Sequence, residues 1–233
     1  MTDKRFEGRV ALVTGASRGL GHAVAEQLGA EGAHVLALAR TVGGLEELDD
    51  AIKAAGGAAT LVPLDLTDDP ALERLGAAIF ERWGRLDFWV HTAVHAAPLS
   101  PADHVAEKDL DRCLAVNARA PQRLMRVLDP LLRAAPAGRA VLLDDAPAGE
   151  KFHGLYAASK AAARAFALSW AAEKAHSSVK VWLARPPAMP TALRRRMRPG
   201  ESDEGLAQPR DVATTLIDAI AADQAKPGEI VTL

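Results

Sequence analysis

The chain has 233 residues, is 49% apolar and carries a formal net charge of −2. That charge excludes a global field for nucleic acid or an anionic membrane, and no apolar run approaches the roughly 20 residues needed to span a bilayer. The single cysteine, Cys113, excludes an internal disulfide; together with a polar start from Met1 to Val10 that lacks an apolar signal region, it points to a cytoplasmic setting.

Short apolar runs alternate along the chain with longer stretches of helical spacing. The runs are 10–14, 34–39, 59–64, 88–91, 140–143, 179–184 and 229–233, rich in Val and Leu as expected of strands buried on both faces. Between them, 19–30, 43–55, 69–83, 103–135, 155–176 and 209–222 are predicted helices. The alternation predicts an α/β fold in three layers, a doubly wound parallel sheet of about seven strands with helices on both faces. No linker, repeat or low-complexity segment divides the chain, so 1–233 is expected to be one domain. The least regular stretch, 185–208, holds four prolines and the arginines Arg194, Arg195, Arg196 and Arg198.

The first strand runs into Thr14-Gly15-Ala16-Ser17-Arg18-Gly19-Leu20-Gly21, and a helix starts near Gly19. Glycines there allow a tight turn and close approach of a pyrophosphate, while the helix start offers unpaired N–H groups and a positive dipole end. A strand, then this loop, then a helix near the start of a chain is the context of a Rossmann-type dinucleotide site. Cofactor contacts are therefore expected at Gly15, Ser17, Arg18, Gly19, Leu20 and Gly21. The second strand ends Ala39-Arg40 with no carboxylate. An acidic residue there suits a free ribose hydroxyl, whereas arginines such as Arg18 and Arg40 suit a 2′-phosphate. The expected cofactor is NADP rather than NAD.

Tyr156 is the only tyrosine, and Lys160 follows four residues later on a predicted helix, sharing its face. An ammonium beside a phenol favours the phenolate, making a usable acid/base for carbonyl reduction or alcohol oxidation. With the glycine loop this pair resembles the classical short-chain dehydrogenase/reductase family over nearly the whole chain. The family's T-G-x-x-x-G-x-G is matched at 14–21, and its Y-x-x-S-K at Tyr156-Ala157-Ala158-Ser159-Lys160. Leu64-Asp65-Leu66 matches the acidic segment at the adenine, Asn117 the mid-helix catalytic asparagine, Ala93 the cofactor-contacting loop after the fourth strand, and Thr191 a cofactor-contacting threonine. The resemblance implies hydride transfer with Tyr156 moving the proton. Lys160 would lower the Tyr156 pKa and hold the nicotinamide ribose, and Asn117 would support a water chain to Lys160. It also implies a substrate-covering segment at about 188–207 and pairing into homodimers or homotetramers through 103–135 and 155–176.

Three positions depart from the family pattern. His91-Thr92-Ala93-Val94 stands where Asn-Asn-Ala-Gly is usual, so Val94 puts a branched side chain beside the cofactor path. Pro187 replaces a glycine. The catalytic serine position falls on Asp144 or Asp145, with Asp145 favoured, and the loop 146–155 is expected to be trimmed. An ionised aspartate cannot donate to a developing oxyanion. Either Asp145 is a neutral acid in an apolar pocket, or it binds a donor or cationic group of the substrate. His153 is a candidate replacement donor, and the arginine cluster is either a magnet for acidic substrates or a solvated face. No metal-ligand spacing is found, and Cys113 reads as a small core residue.

Two functions follow. One is an NADP-dependent oxidoreductase acting on a small carbonyl or alcohol. The other is a catalytically weak cofactor-binding protein, a scaffold or redox sensor.

Overall fold

A computed structural model of the chain describes residues 4–145 and 149–233; Met1–Asp3 and part of the loop expected to be trimmed, 146–148, lie outside them. Seven strands form one parallel sheet: β1 (Val10–Thr14), β2 (His34–Ala39), β3 (Ala58–Pro63), β4 (Phe88–His91), β5 (Arg139–Leu143), β6 (Lys180–Arg185) and β7 (Ile230–Thr232). Their order is β3-β2-β1-β4-β5-β6-β7. Helices cover both faces, so the expected doubly wound three-layer architecture is present. Strand order reverses between β1 and β4, where Thr14 pairs with His91 at the carboxyl ends. Ligands of such sheets bind at that switch point.

The period of two along a strand divides the core. From β1, Ala11 and Val13 enter an apolar cluster with α1 (Gly19–Ala30), α2 (Gly43–Ala54) and α8 (Pro209–Ala222). Val10 and Leu12 enter the opposite cluster with α3 (Asp69–Trp83), α5 (Ala120–Ala134) and α6 (Gly154–Glu173). Local signals set the ends of α3. Asp68 caps it by accepting from the Ala71 N–H at 3.0 Å, Pro70 sits in the first turn, and Gly84 ends it with φ 69°.

The single helix expected over 103–135 is broken. A 3₁₀ turn (Ala102–His104) precedes α4 (Glu107–Leu114), a π-helical turn (Ala115–Arg119) and then α5. Pro121 lacks the N–H that an α-helix would donate to the Asn117 carbonyl, and the ladder widens there. The irregular stretch contains a helix that its composition hides, α7 (Ala192–Met197), capped by Thr191 Oγ1 accepting from the Arg194 N–H at 3.2 Å.

Candidate active site

The glycine loop is built by contacts that leave no room for side chains. Gly15 and Ala16 donate from their N–H groups to the Leu38 carbonyl at 2.8 and 3.1 Å, tying the loop to β2. Gly15 has φ 78° and Gly19 φ 59°, both natural for glycine. A Cβ on Gly15 would stand 2.8 Å from the Ala93 nitrogen, and one on Gly21 would collide with Thr92 Oγ1 and the Gly15 carbonyl. Thr92 Oγ1 in turn donates to the Thr14 carbonyl at 2.7 Å. The start of α1 has no side-chain cap, because Arg18 occupies the cap position in extended backbone. Its N–H groups are thus left for an anion.

Around this cradle the expected cofactor residues divide into two kinds. Arg18 and Arg40 are exposed and, among the described residues, form no ion pair. Ser17 lies under α2, close enough that a Cβ on Gly44 would come within 2.6 Å of its carbonyl. Thr191 reaches the cradle from the other side, its Cγ2 standing 3.5 Å from a Cβ built on Gly19. Leu20 and Leu66 turn their side chains into the two apolar clusters. Asp65 is engaged already. It accepts from Thr67 N and Oγ1 at 2.9 and 2.8 Å and from Arg112 Nη2 at 3.0 Å. Burial alone would raise its pKa, but the bonds to Thr67 and Arg112 outweigh that and hold it at about 2.

Tyr156, Lys160 and Asn117 converge beyond the cradle, and Asp145 joins them. Asp145, not Asp144, meets the tyrosine: Tyr156 Oη donates to Asp145 Oδ2 at 3.0 Å. Lys160 Nζ is buried and donates to the Leu143 carbonyl at 2.7 Å. Asn117, in the π-helical turn, accepts from the His95 N–H at 2.7 Å and donates to the His95 carbonyl at 2.7 Å and to Ser159 Oγ at 2.9 Å. It thereby pins the loop after β4 to α6. Ser159 Oγ donates back to the Tyr156 carbonyl at 2.8 Å.

One electrostatic expectation is corrected. Lys160 was expected to lower the Tyr156 pKa; instead it is raised, by burial first and then by the Asp145 carboxylate. Tyr156 is 5% exposed, packed with Ala96 and Met197 and flanked by Val94, Leu99 and Leu193. The Lys160 pKa is lowered by the same loss of water. Asp145 itself is exposed.

Other candidates separate in the same way. His153 is buried and its Nδ1 bonds the Lys151 carbonyl at 2.8 Å; the Tyr156 hydroxyl is served by Asp145 instead. Of the arginine cluster, Arg194 binds Glu201 at 2.6 Å, Arg195 binds Asp203 at 2.7 Å and Arg198 pairs with Glu150. Arg196 has no carboxylate partner among the described residues and, after burial, is the first of the cations that hold the His95 pKa down. Cys113 is buried. Among the described residues no cluster of His, Cys, Asp or Glu could hold a metal ion.

Spacing along α6 carried a signal that sequence reasoning missed. Arg164 continues the Tyr156–Lys160 stripe by another four residues, and its Nε donates to Asp144 Oδ1 at 2.7 Å. Arg185, from the end of β6, donates through Nη2 to Asp144 Oδ2 at 2.5 Å.

A sequence model of the short-chain dehydrogenase family matches residues 9–202. A hydroxynaphthalene reductase-like protein of Metarhizium guizhouense is 33% identical over 196 residues, covering 82% of this chain and 72% of that protein. Among solved structures, a short-chain dehydrogenase from Pseudomonas syringae superposes with a TM-score of 0.93 at 28% identity, covering 99% of this chain and 96% of the other. A metagenomic short-chain oxidoreductase in complex with NADP does so with a TM-score of 0.83 at 30% identity, covering 98% of each chain.

Proposed function

Given that the chain belongs to the short-chain dehydrogenase family of oxidoreductases, we propose that it transfers hydride between NADP(H) and a small carbonyl or alcohol, with Tyr156 as general acid/base. The observation that carries this is that Tyr156 and Lys160 meet the end of β5, beside the switch point and the glycine cradle, while Asn117 ties the loop after β4 to Ser159 on the same helix. The residues fit the cofactor. At Gly19 a Cβ would meet only Thr191 Cγ2 at 3.5 Å, so the protein leaves that approach open; the start of α1 is uncapped, and Arg18 and Arg40 are exposed cations suited to a 2′-phosphate. A similar structure complexed with NADP supports the same choice.

Gly15, Ser17, Arg18, Gly19, Gly21 and Arg40 would hold the phosphates, Asp65 and the Leu66 backbone the adenine side, and Ala93, Thr191 and Lys160 the nicotinamide side. When bound, the nicotinamide supplies or accepts the hydride. Tyr156 moves the proton: its hydroxyl exchanges the Asp145 carboxylate for the substrate oxygen and donates in reduction, or accepts in oxidation. Asp145, whose Oδ2 accepts from Tyr156 Oη, would serve a donor group of the substrate. The segment 188–207, with α7, covers the substrate.

The Tyr156–Asp145 bond also favours a second reading, a cofactor-binding protein whose hydride transfer is slow. NADPH fluorescence should report binding under both. Turnover over a panel of carbonyls is expected to fall about 10²-fold or more in Tyr156→Phe with NADPH binding retained; equal rates would sink the enzyme assignment. Asp145→Ser separates the two readings. A gain in turnover marks a damaged oxyanion site, and a loss marks an aspartate with a role of its own.

A further inference from the structure

Three successive residues at the exit of β5 each receive one rung of the same helical stripe. Tyr156, Lys160 and Arg164 follow at intervals of four on α6 and so share a face. Tyr156 Oη donates to the Asp145 side chain at 3.0 Å, Lys160 Nζ to the Leu143 carbonyl at 2.7 Å, and Arg164 Nε to Asp144 Oδ1 at 2.7 Å. Asp144 lies between the two acceptors that the Tyr156–Lys160 pair uses. It is also the residue of the three whose side chain is driven deepest, at 1% exposure.

A carboxylate so deprived of water needs both oxygens satisfied. Each oxygen has its own arginine. Arg164 takes Oδ1 from α6, while Arg185 takes Oδ2 from the end of β6 through Nη2 at 2.5 Å and Nε at 3.1 Å. The Asp144 N–H donates to the Ala184 carbonyl at 2.8 Å, so the backbone is tied to β6 as well. Buried ion groups of this kind add little stability over apolar packing, and their better-attested use is to fix one arrangement among several. Here the arrangement fixed is the register of the Tyr156–Lys160 stripe on residues 143–145.

We propose that Asp144, clamped between Arg164 and Arg185, is a positioning residue that sets where the Asp145 carboxylate and the Leu143 carbonyl stand against Tyr156 and Lys160. The role in catalysis rests on Tyr156 being the acid/base; the clamp itself does not. Among the described residues, the titratable groups that act on Tyr156 are Asp145 and Asp144 from the end of β5 and Cys113 from α4. Loss of one arginine leaves one oxygen of Asp144 unpaired. The carboxylate then turns out toward water, carrying Asp145 with it and releasing the phenol from its acceptor.

The chain has a single tyrosine, so the difference absorbance of tyrosinate reads Tyr156 alone. The test follows that absorbance together with the far-ultraviolet helix signal over an alkaline pH series, in the wild type, Arg164→Met and Arg185→Met. Both variants are expected to form tyrosinate at lower pH than the wild type while the helix signal is intact. They should also lose about 10- to 100-fold in kcat, the scale of an ångström of misplacement, with NADPH affinity unchanged. Tyrosinate appearing at the wild-type pH, or higher as a bare charge effect would give, overturns the proposal. Should Arg164→Met lose its helix signal at neutral pH, Arg185→Met, whose side chain is 47% exposed, decides alone. A wild type without turnover on any carbonyl would sink the assigned function and leave the titration to judge the clamp.

Discussion

His91 stands at the carboxyl end of β4, facing the cradle through a 2.8 Å bond between its Nδ1 and Thr14 Oγ1. Burial first, and the Lys160 cation second, push its pKa from 6.5 down to about 3. The folded chain therefore refuses a proton that the unfolded chain accepts. The stability tied to His91 is whole above about pH 6.5 and is lost as pH falls toward 3. His91→Asn keeps a polar partner for Thr14 but cannot titrate, so its melting temperature should drop less than the wild type's between neutral and mildly acidic buffer. Equal drops would place the acid sensitivity elsewhere. The free cations make a second prediction. Arg18→Ala with Arg40→Ala should weaken NADPH binding about tenfold or more while changing NADH little, read by fluorescence titration. The residue types of the site were legible in the sequence because spacing on one helix brings Tyr156 and Lys160 together. Their protonation was not, since it depends on Asp145 and on the burial imposed by Val94 and Met197 from distant segments.

Among the elements, the cradle is the one with least tolerance. An alanine at Gly21 would press its methyl on Thr92 Oγ1 and the Gly15 carbonyl, both fixed by the β1–β4 junction. Gly21→Ala is expected to cost about 1–3 kcal/mol of stability and to weaken NADPH binding about tenfold or more, checked by thermal melting and titration. Unchanged affinity would show that the loop can move aside. The inner strands were readable almost to the residue, because runs buried on both faces leave a continuous apolar signature, and the edge strands β3 and β7, only half-buried, kept enough apolar residues to be found within a residue or two. The broken helix around Asn117 was not. Apolar spacing continues across the π-helical turn, and nothing in it records the ladder that Pro121 interrupts. Helix α7 escaped because three consecutive arginines fill half of its six residues and Pro190 and Pro199 flank it, while Leu193 and Met197 pack locally on Tyr156.

Taken whole, the described residues include no helix long and apolar enough to cross a membrane. They do expose apolar side chains where family resemblance places pairing: Leu110 at 40% and Leu114 at 38% on α4, and Phe166 at 47% on α6. If two copies meet there, Phe166→Asp should reduce the mass seen in sedimentation to one chain; an unchanged mass would move the contact to another face. The order of the strands also bears on how the molecule comes into being. Thr14 and His91, the lips of the binding crevice, are 77 residues apart in sequence. The β1–β2–β3 half can assemble from near neighbours, but the crevice has no second wall until β4 closes a long loop onto β1. A nucleotide that grips both lips can recognise only the nearly finished molecule. Such a ligand would act as a latch on the completed sheet, lengthening the life of the native state without hastening its arrival.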